Sequence, residues 1–309
     1  MAEYYASFLD TLCAQHAGTT ALCVSSLGQD VGTGATGASL EEGADVPLPP
    51  TGRFQVAGHT RTYYSLQDQI ALQRRALDAL TRLLPPDAPV FVFGHSVGAY
   101  ISLQLLQQHE RVRGVYLLFP TISYIAKAPR ASSLRLILTP WGAWMAQGLA
   151  NFLALFPFAW ICALISFVTR MDARSAEITT AFVTGPGAAW NALCMAMDEM
   201  HTITTIPPHL VEYLDKNQTL LRAYFGHGET VRASLIQDTW VPSWQRKHAE
   251  EVLSLAPASD PLLPRTSAVC ELGMPHAFCL RTSYCLRRAQ SPDGRDRGAL
   301  AGGGRGRWR

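Results

Sequence analysis

The order of apolar and polar positions along the chain alternates between two periods. Residues 4–15 (YYASFLDTLCAQ) place Tyr5, Phe8, Leu9 and Leu12 on one helical face, and TTALCVSS at 19–26 follows as a short β-run. The Gly/Thr-rich stretch 27–60 is a long polar connection. After it, SLQDQIALQRRALDALTRLL at 65–84 spaces Leu66, Ile70, Leu77 and Leu80 as one stripe of an amphipathic helix, which Pro85 and Pro86 stop. The run PVFVFGHSVGAYISLQLLQQHE is continuous and β-rich at first, turns at Gly94, and resumes with helical spacing. A buried strand is predicted at 114–120 (GVYLLFP), with later strands at 223–226 (AYFG) and 267–272 (SAVCEL) and helices at 242–254 and 277–288 after each. Alternating helices and strands of this kind predict an α/β fold with a mostly parallel sheet flanked by helices.

Between the second and third of these buried strands lies a region of different character, residues 121–215. From Leu136 to Thr169 no residue is charged, and the stretch carries Trp141, Trp144, Phe152, Phe156, Phe158, Trp160 and Phe167. Pro140 and Pro157 divide it into segments of sixteen and twelve residues, both short of the roughly 20 needed to span a bilayer. It reads either as an apolar helical cap buried over a site or as a monotopic hairpin resting in a lipid surface, where interfacial aromatics and an absence of charge are favourable. The second reading is preferred, because a soluble cap ordinarily shows polar periodicity.

Composition narrows the classes further. The 309 residues are 48% hydrophobic and 16% charged, the reverse of a disordered chain and ample for a core. The net charge of +2 is uneven: residues 281–309 hold eight arginines against Asp293 and Asp296, so this end is +6 and the other 280 residues are −4. A Gly/Arg-rich end with nothing to pack reads as a disordered basic tail, and no aromatic or basic surface elsewhere points to a nucleic-acid partner. The seven cysteines are odd in number and lack zinc-like spacing, which favours reduced thiols in an intracellular setting. MAEYYASFLDTLC has neither the basic start nor the sustained apolar stretch of a signal peptide.

Gly94-His95-Ser96-Val97-Gly98 fits the G-x-S-x-G nucleophile elbow, with a Val/Phe strand before it and an amphipathic helix after it. Such a serine sits on a strained strand-to-helix turn, and glycines on either side leave room for the neighbouring elements. The following helix would turn its positive end and the Val97 amide toward a developing oxyanion. On this fold the base comes last in the chain, and His276, in the loop GMPHAF after the strand SAVCEL, has that position. Two acids compete to orient it: Asp238 in QDTWVP and Glu229 in YFGHGET. The acids of the insertion (Asp172, Glu177, Asp198, Glu199, Glu212, Asp215) read as solvated helix faces. No metal or organic cofactor is implied.

Taken together, YYASFLDTL, YSLQDQI, FGHSVGAY, LLFPTI at 117–122, the aromatic insertion, DTWVP at 238–242 and MPHAF at 274–278 resemble the lipid droplet-associated hydrolase family of serine hydrolases. The resemblance covers most of residues 3–280. It implies an α/β-hydrolase fold divided into an N-terminal part of the core (1–120), the cap or membrane-associating insertion (121–215), a C-terminal part of the core (216–288) and the tail (289–309). It also implies Ser96 as nucleophile, His276 as base and Asp238 as the acid, by the family's D-x-W motif. Two departures stand out. The family's Gly-Asn-Pro-Gly loop, the source of a second oxyanion amide, precedes the Tyr-Tyr helix, whereas this chain begins MAEYY, so an N-terminal truncation is expected. The YFG-to-DTWVP spacing is about nine residues longer than the family pattern, which leaves Glu229 at the spacing expected for the acid. The implied substrate is a neutral lipid ester at a lipid droplet or endoplasmic reticulum surface, engaged through residues 136–169. Competing expectations are a non-catalytic lipid-surface protein and a soluble esterase or thioesterase.

Overall fold

The computed structural model describes residues 2–16, 18–29, 48–122, 125–127, 136–204, 208–217, 220–225 and 267–269. A single 3-10 turn, Ala2–Tyr5, leads into α1 (Ala6–Gln15). The predicted strand at 19–26 does not form. Side chains of the next helix take up its backbone instead. Gln69 accepts from the Leu27 amide (2.8 Å) and donates to the Leu27 carbonyl (3.1 Å), and Gln73 donates to the Val24 carbonyl (3.4 Å).

The polar connection hides a hairpin. β1 (Gly52–Val56) pairs antiparallel with β2 (His59–Tyr63) through the two-residue turn Ala57-Gly58, at φ 52° and 78°. Positive φ at both positions is the primed turn whose twist matches two paired strands. The strain of alanine there is offset by packing. Phe54 stacks on Tyr63 (4.8 Å), Trp190 donates its indole N–H to the Thr62 carbonyl (2.7 Å), and Val56 and Tyr63 are buried against Ala143, Trp190, Cys194 and Met197.

Helix α2 (Leu66–Leu83) starts where the sequence places it because Ser65 and Asp68 form a capping box. Thr51 donates to the Asp68 carboxylate at 2.9 Å and hydrogen-bonds Ser65, and Asp198 accepts from the Leu66 amide at 2.7 Å. β3 (Val90–His95), α3 (Val97–Gln108) and β4 (Val112–Leu118) follow. β3 pairs in parallel with β4, β4 with β5 (Leu221–Phe225), and β5 with β6 (Ser267–Val269). Alternation along β3 separates two faces. Val90 and Val92 join the core with Leu66, Ile70, Leu77 and the buried α3 residues Ala99 to Leu106. Phe93 lies on the other face, stacked on Tyr116 (4.5 Å) and edge-on to Phe8 of α1 (6.3 Å).

Among the described residues five α-helices fall between β4 and β5: α4 (Pro140–Leu153), α5 (Phe158–Thr169), α6 (Ala173–Thr184), α7 (Ala188–Thr202) and α8 (Pro208–Lys216). α7 and α8 belong to the main core, for Met195, Ile203 and Leu210 pack with α2 and α3. The first two differ. α4 buries only Ala143, Gln147 and Ala150, and α5 only Ile161. The large side chains of this pair are exposed instead, among them Trp141, Met145, Leu149, Phe152, Leu155, Trp160 (67%) and Phe167 (84%). No described helix is long and apolar enough to cross a membrane.

Candidate active site

A strand that enters a helix across a single residue must reverse its backbone there, and that residue is Ser96. It caps α3 with φ 55° and ψ −123°, a region nearly closed to residues with a Cβ and one that costs about 1–3 kcal/mol. The surroundings hold it there. The Ser96 amide donates to the Leu118 carbonyl (3.1 Å), and its own carbonyl accepts from the Ala99 amide (3.0 Å) and the Thr121 amide (3.2 Å). Val97 opens α3, so its amide, in the first turn, has no intrahelical acceptor and is available to an anion.

The two glycines of the motif are not equivalent. A Cβ on Gly94 would lie 2.3 Å from the Gly98 carbonyl oxygen and 2.4 Å from Ser102 Oγ, which itself donates to that carbonyl at 2.7 Å. A Cβ on Gly98 would meet no described atom within 4 Å. The expectation that both glycines make room therefore holds for Gly94, where the helix backbone crosses the strand, and needs correction for Gly98.

Around the turn, His95 Nδ1 and the Tyr5 hydroxyl share a 2.7 Å hydrogen bond, and the imidazole packs edge-on to Phe119. Phe119, buried and at φ 47°, donates its amide to the Tyr224 carbonyl (2.8 Å). The chain thus leaves β4 through a second strained residue, tied to β5, and delivers Thr121 beside Ser96. Tyr5, Phe119 and Thr121 lie in segments that carry the family resemblance, yet no local chemical pattern marks any of them as a site residue.

Asp238, Glu229 and His276 lie outside the described residues. The strands that lead to them are described. β5 ends at Phe225 and β6 at Val269, both parallel to β3, so the chain leaves each at the same edge of the sheet as Ser96.

Three acids of the insertion are half-buried rather than on solvated faces, contrary to expectation. Asp172 caps α6 by accepting from the Ser175 amide (3.0 Å), and Asp198 caps α2. Burial, and then the Asp198 charge, push the half-buried Glu199 carboxyl up to about 8. Burial pushes the Cys194 thiol up to about 12; burial, followed by the Asp198, Cys194 and Asp68 charges, does the same to Tyr63. A helix pattern cannot announce such positions, because they depend on which face the neighbouring element covers. Glu177 and Glu212 are exposed, the latter paired with Lys216 at 2.7 Å. Among the described residues no three His, Cys, Asp or Glu side chains gather as a metal site would require.

A parallel sheet with helices on its faces and a strained serine at a strand-to-helix turn define an α/β-hydrolase architecture. The chain belongs to the lipid-droplet associated hydrolase family, whose model matches residues 1–279. It is 26% identical to a lipid droplet-associated hydrolase of Drosophila melanogaster over 61% of this chain and 58% of the relative, and 26% identical to one of Homo sapiens over 76% and 65%. It thus spans about three-fifths of the length of these curated relatives. Among solved structures it is similar to a carboxylesterase of Nitrososphaera gargenis, with a TM-score of 0.41, 18% identity, and 73% and 72% of the two chains covered.

Proposed function

We propose that the chain is a serine hydrolase of lipid esters, sterol or acylglycerol, working at the cytosolic face of a lipid droplet or endoplasmic reticulum surface. The observation that carries the chemistry is the conformation of Ser96, a strained serine that opens a helix. Ser96 Oγ attacks the ester carbonyl while His276 takes its proton, and the Val97 amide donates to the tetrahedral oxyanion. As the carbon–oxygen bond to the alcohol breaks, His276 returns that proton to the leaving oxygen. Water then repeats the sequence on the acyl-enzyme and releases the carboxylic acid. Asp238 orients the imidazole, with Glu229 the alternative acid.

The surface reading is supported by the α4–α5 pair, which presents Trp, Phe, Leu and Met side chains outward over a run without charge. Contiguous exposed apolar area on this scale is rare on soluble monomers and typical of lipid-facing segments. The relatives' names also place them at lipid droplets. The test compares hydrolysis of an emulsified triacylglycerol or sterol ester with that of a soluble p-nitrophenyl ester. Release of fatty acid from the emulsion that is lost in Ser96→Ala is expected. Turnover of the soluble ester alone would favour a soluble esterase, and no Ser96-dependent turnover of either would favour a lipid-surface protein without catalysis.

A further inference from the structure

Thr121 lies two residues beyond the strained Phe119, and its amide hydrogen-bonds the Ser96 carbonyl at 3.2 Å. The residue is 8% exposed, and its hydroxyl, shut off from solvent, has no hydrogen-bond partner among the described residues. A threonine hydroxyl normally finds a carbonyl within its own helix or loop, as Thr180 and Thr184 do here by bonding the carbonyls four residues back (2.7 and 2.8 Å). Leaving one buried and unpaired forfeits stability that a methyl group of the same shape would keep. Two other described side-chain atoms are in this state, His109 Nδ1 and Arg111 Nε. Both belong to side chains otherwise engaged, His109 with Asp78 and Arg111 with the Ala88 carbonyl. Thr121 stands apart because it is the member placed at the C-terminal edge of the parallel sheet, where this class of fold receives its ligands.

We infer that Thr121 is a substrate-contacting residue, whose hydroxyl donates a hydrogen bond to an oxygen of the ester held at Ser96. The inference rests on Ser96 being the nucleophile. Two hydrogen bonds fix the backbone on either side of Pro120: the Phe119 amide is anchored on β5, and the Thr121 amide is anchored on the residue that carries the reacting oxygen. The backbone that carries the hydroxyl is thereby held before the ligand arrives, which limits the reorganisation left for the barrier. Among the described residues none completes its hydrogen bonding, and a ligand oxygen would.

The experiment uses the full chain and p-nitrophenyl butyrate, with kcat, KM and melting temperature measured for Thr121→Val and Thr121→Ser. Valine keeps the shape and loses the donor. It should lower kcat about tenfold with KM changed less than about twofold, while the melting temperature stays level or rises. Serine keeps the donor and should restore kcat to within about threefold of the parent. Unchanged kcat in Thr121→Val overturns the inference and leaves the nucleophile assignment intact. A lowered melting temperature or loss of folding in Thr121→Val overturns it too, because the hydroxyl would then be a structural group. Turnover that Ser96→Ala does not reduce, or none at all, overturns both readings together.

Discussion

At the scale of single residues, the elbow is a problem of space solved at Gly94. Its Cα faces the Gly98 carbonyl so closely that a methyl group would sit 2.3 Å from the oxygen. Gly94→Ala must displace α3 from β3, and it should cost about 1–3 kcal/mol of stability and most of the activity. Gly98→Ala meets no described atom and replaces a flexible residue within a helix, so it should be neutral or stabilising by up to about 1 kcal/mol. Thermal unfolding of both variants checks the pair; equal damage would contradict the geometry. Glu199 yields a second prediction. Its carboxyl rises from 4.5 to about 8 on folding, so between those values the folded state keeps a proton that the unfolded chain releases. Stability contributed by this group is therefore complete below about pH 4.5 and is lost progressively as pH climbs to about 8. Glu199→Gln, with no proton to lose, should match the parent near pH 4.5 and melt increasingly above it toward pH 8. A difference in Tm that is the same at both ends would rule out the burial of this carboxyl as its cause.

At the scale of elements, what the sequence makes legible is what local pattern alone decides. α2 runs from the Ser65 cap to the Pro85-Pro86 stop because its apolar stripe, capping box and breaker all agree, and β3, the elbow and α3 declare themselves by a change of period at Gly94. The hairpin of β1 and β2 is less visible, since its turn uses Ala57 at a left-handed position where Asn or Gly is the usual signal, and distant Trp190 and Cys194 complete its packing. Residues 19–26 have strand composition, but Gln73 of α2 bonds Val24 and Gln69 bonds the adjoining Leu27, a tertiary choice no window can foresee. The α4–α5 pair shows the converse. A charge-free, aromatic-rich run is compatible with burial as well as with the preferred lipid surface, and where its side chains point, with Trp160 and Phe167 outward, is set by tertiary packing. The element-scale prediction follows from that exposure. Trp141, Trp144 and Phe152 replaced together by Asp should abolish co-flotation of the full chain with phospholipid-coated triolein droplets, because each charge in an apolar phase costs on the order of a few kcal/mol. The same exposure means that Tm should change little. Undiminished flotation would assign the lipid contact elsewhere.

At the scale of the whole molecule, the four parallel strands among the described residues end at one edge: the elbow follows β3, Phe119 to Thr121 follow β4, and the chain leaves β5 and β6 there as well. The proposed order Ser96, acid, His276 follows the chain order of β3, β5 and β6, strands that the sequence pattern predicts. Which carboxylate serves was not readable, for the spacing after Phe225 favours Glu229 and the local motif favours Asp238. Asp238→Asn should lower kcat by up to about 10⁴ by leaving the imidazole in the wrong tautomer, with Glu229→Gln mild by comparison. The reverse ranking would move the acid to Glu229. The acid ranking and the role inferred for Thr121 presuppose that Ser96 is an activated nucleophile, and a fluorophosphonate probe reads that property directly. The protein should be labelled covalently, peptide mass spectrometry should place the adduct on Ser96, and Ser96→Ala and His276→Ala should each abolish it. Labelling that persists in Ser96→Ala, or an adduct mapped to a different serine, would contradict the account.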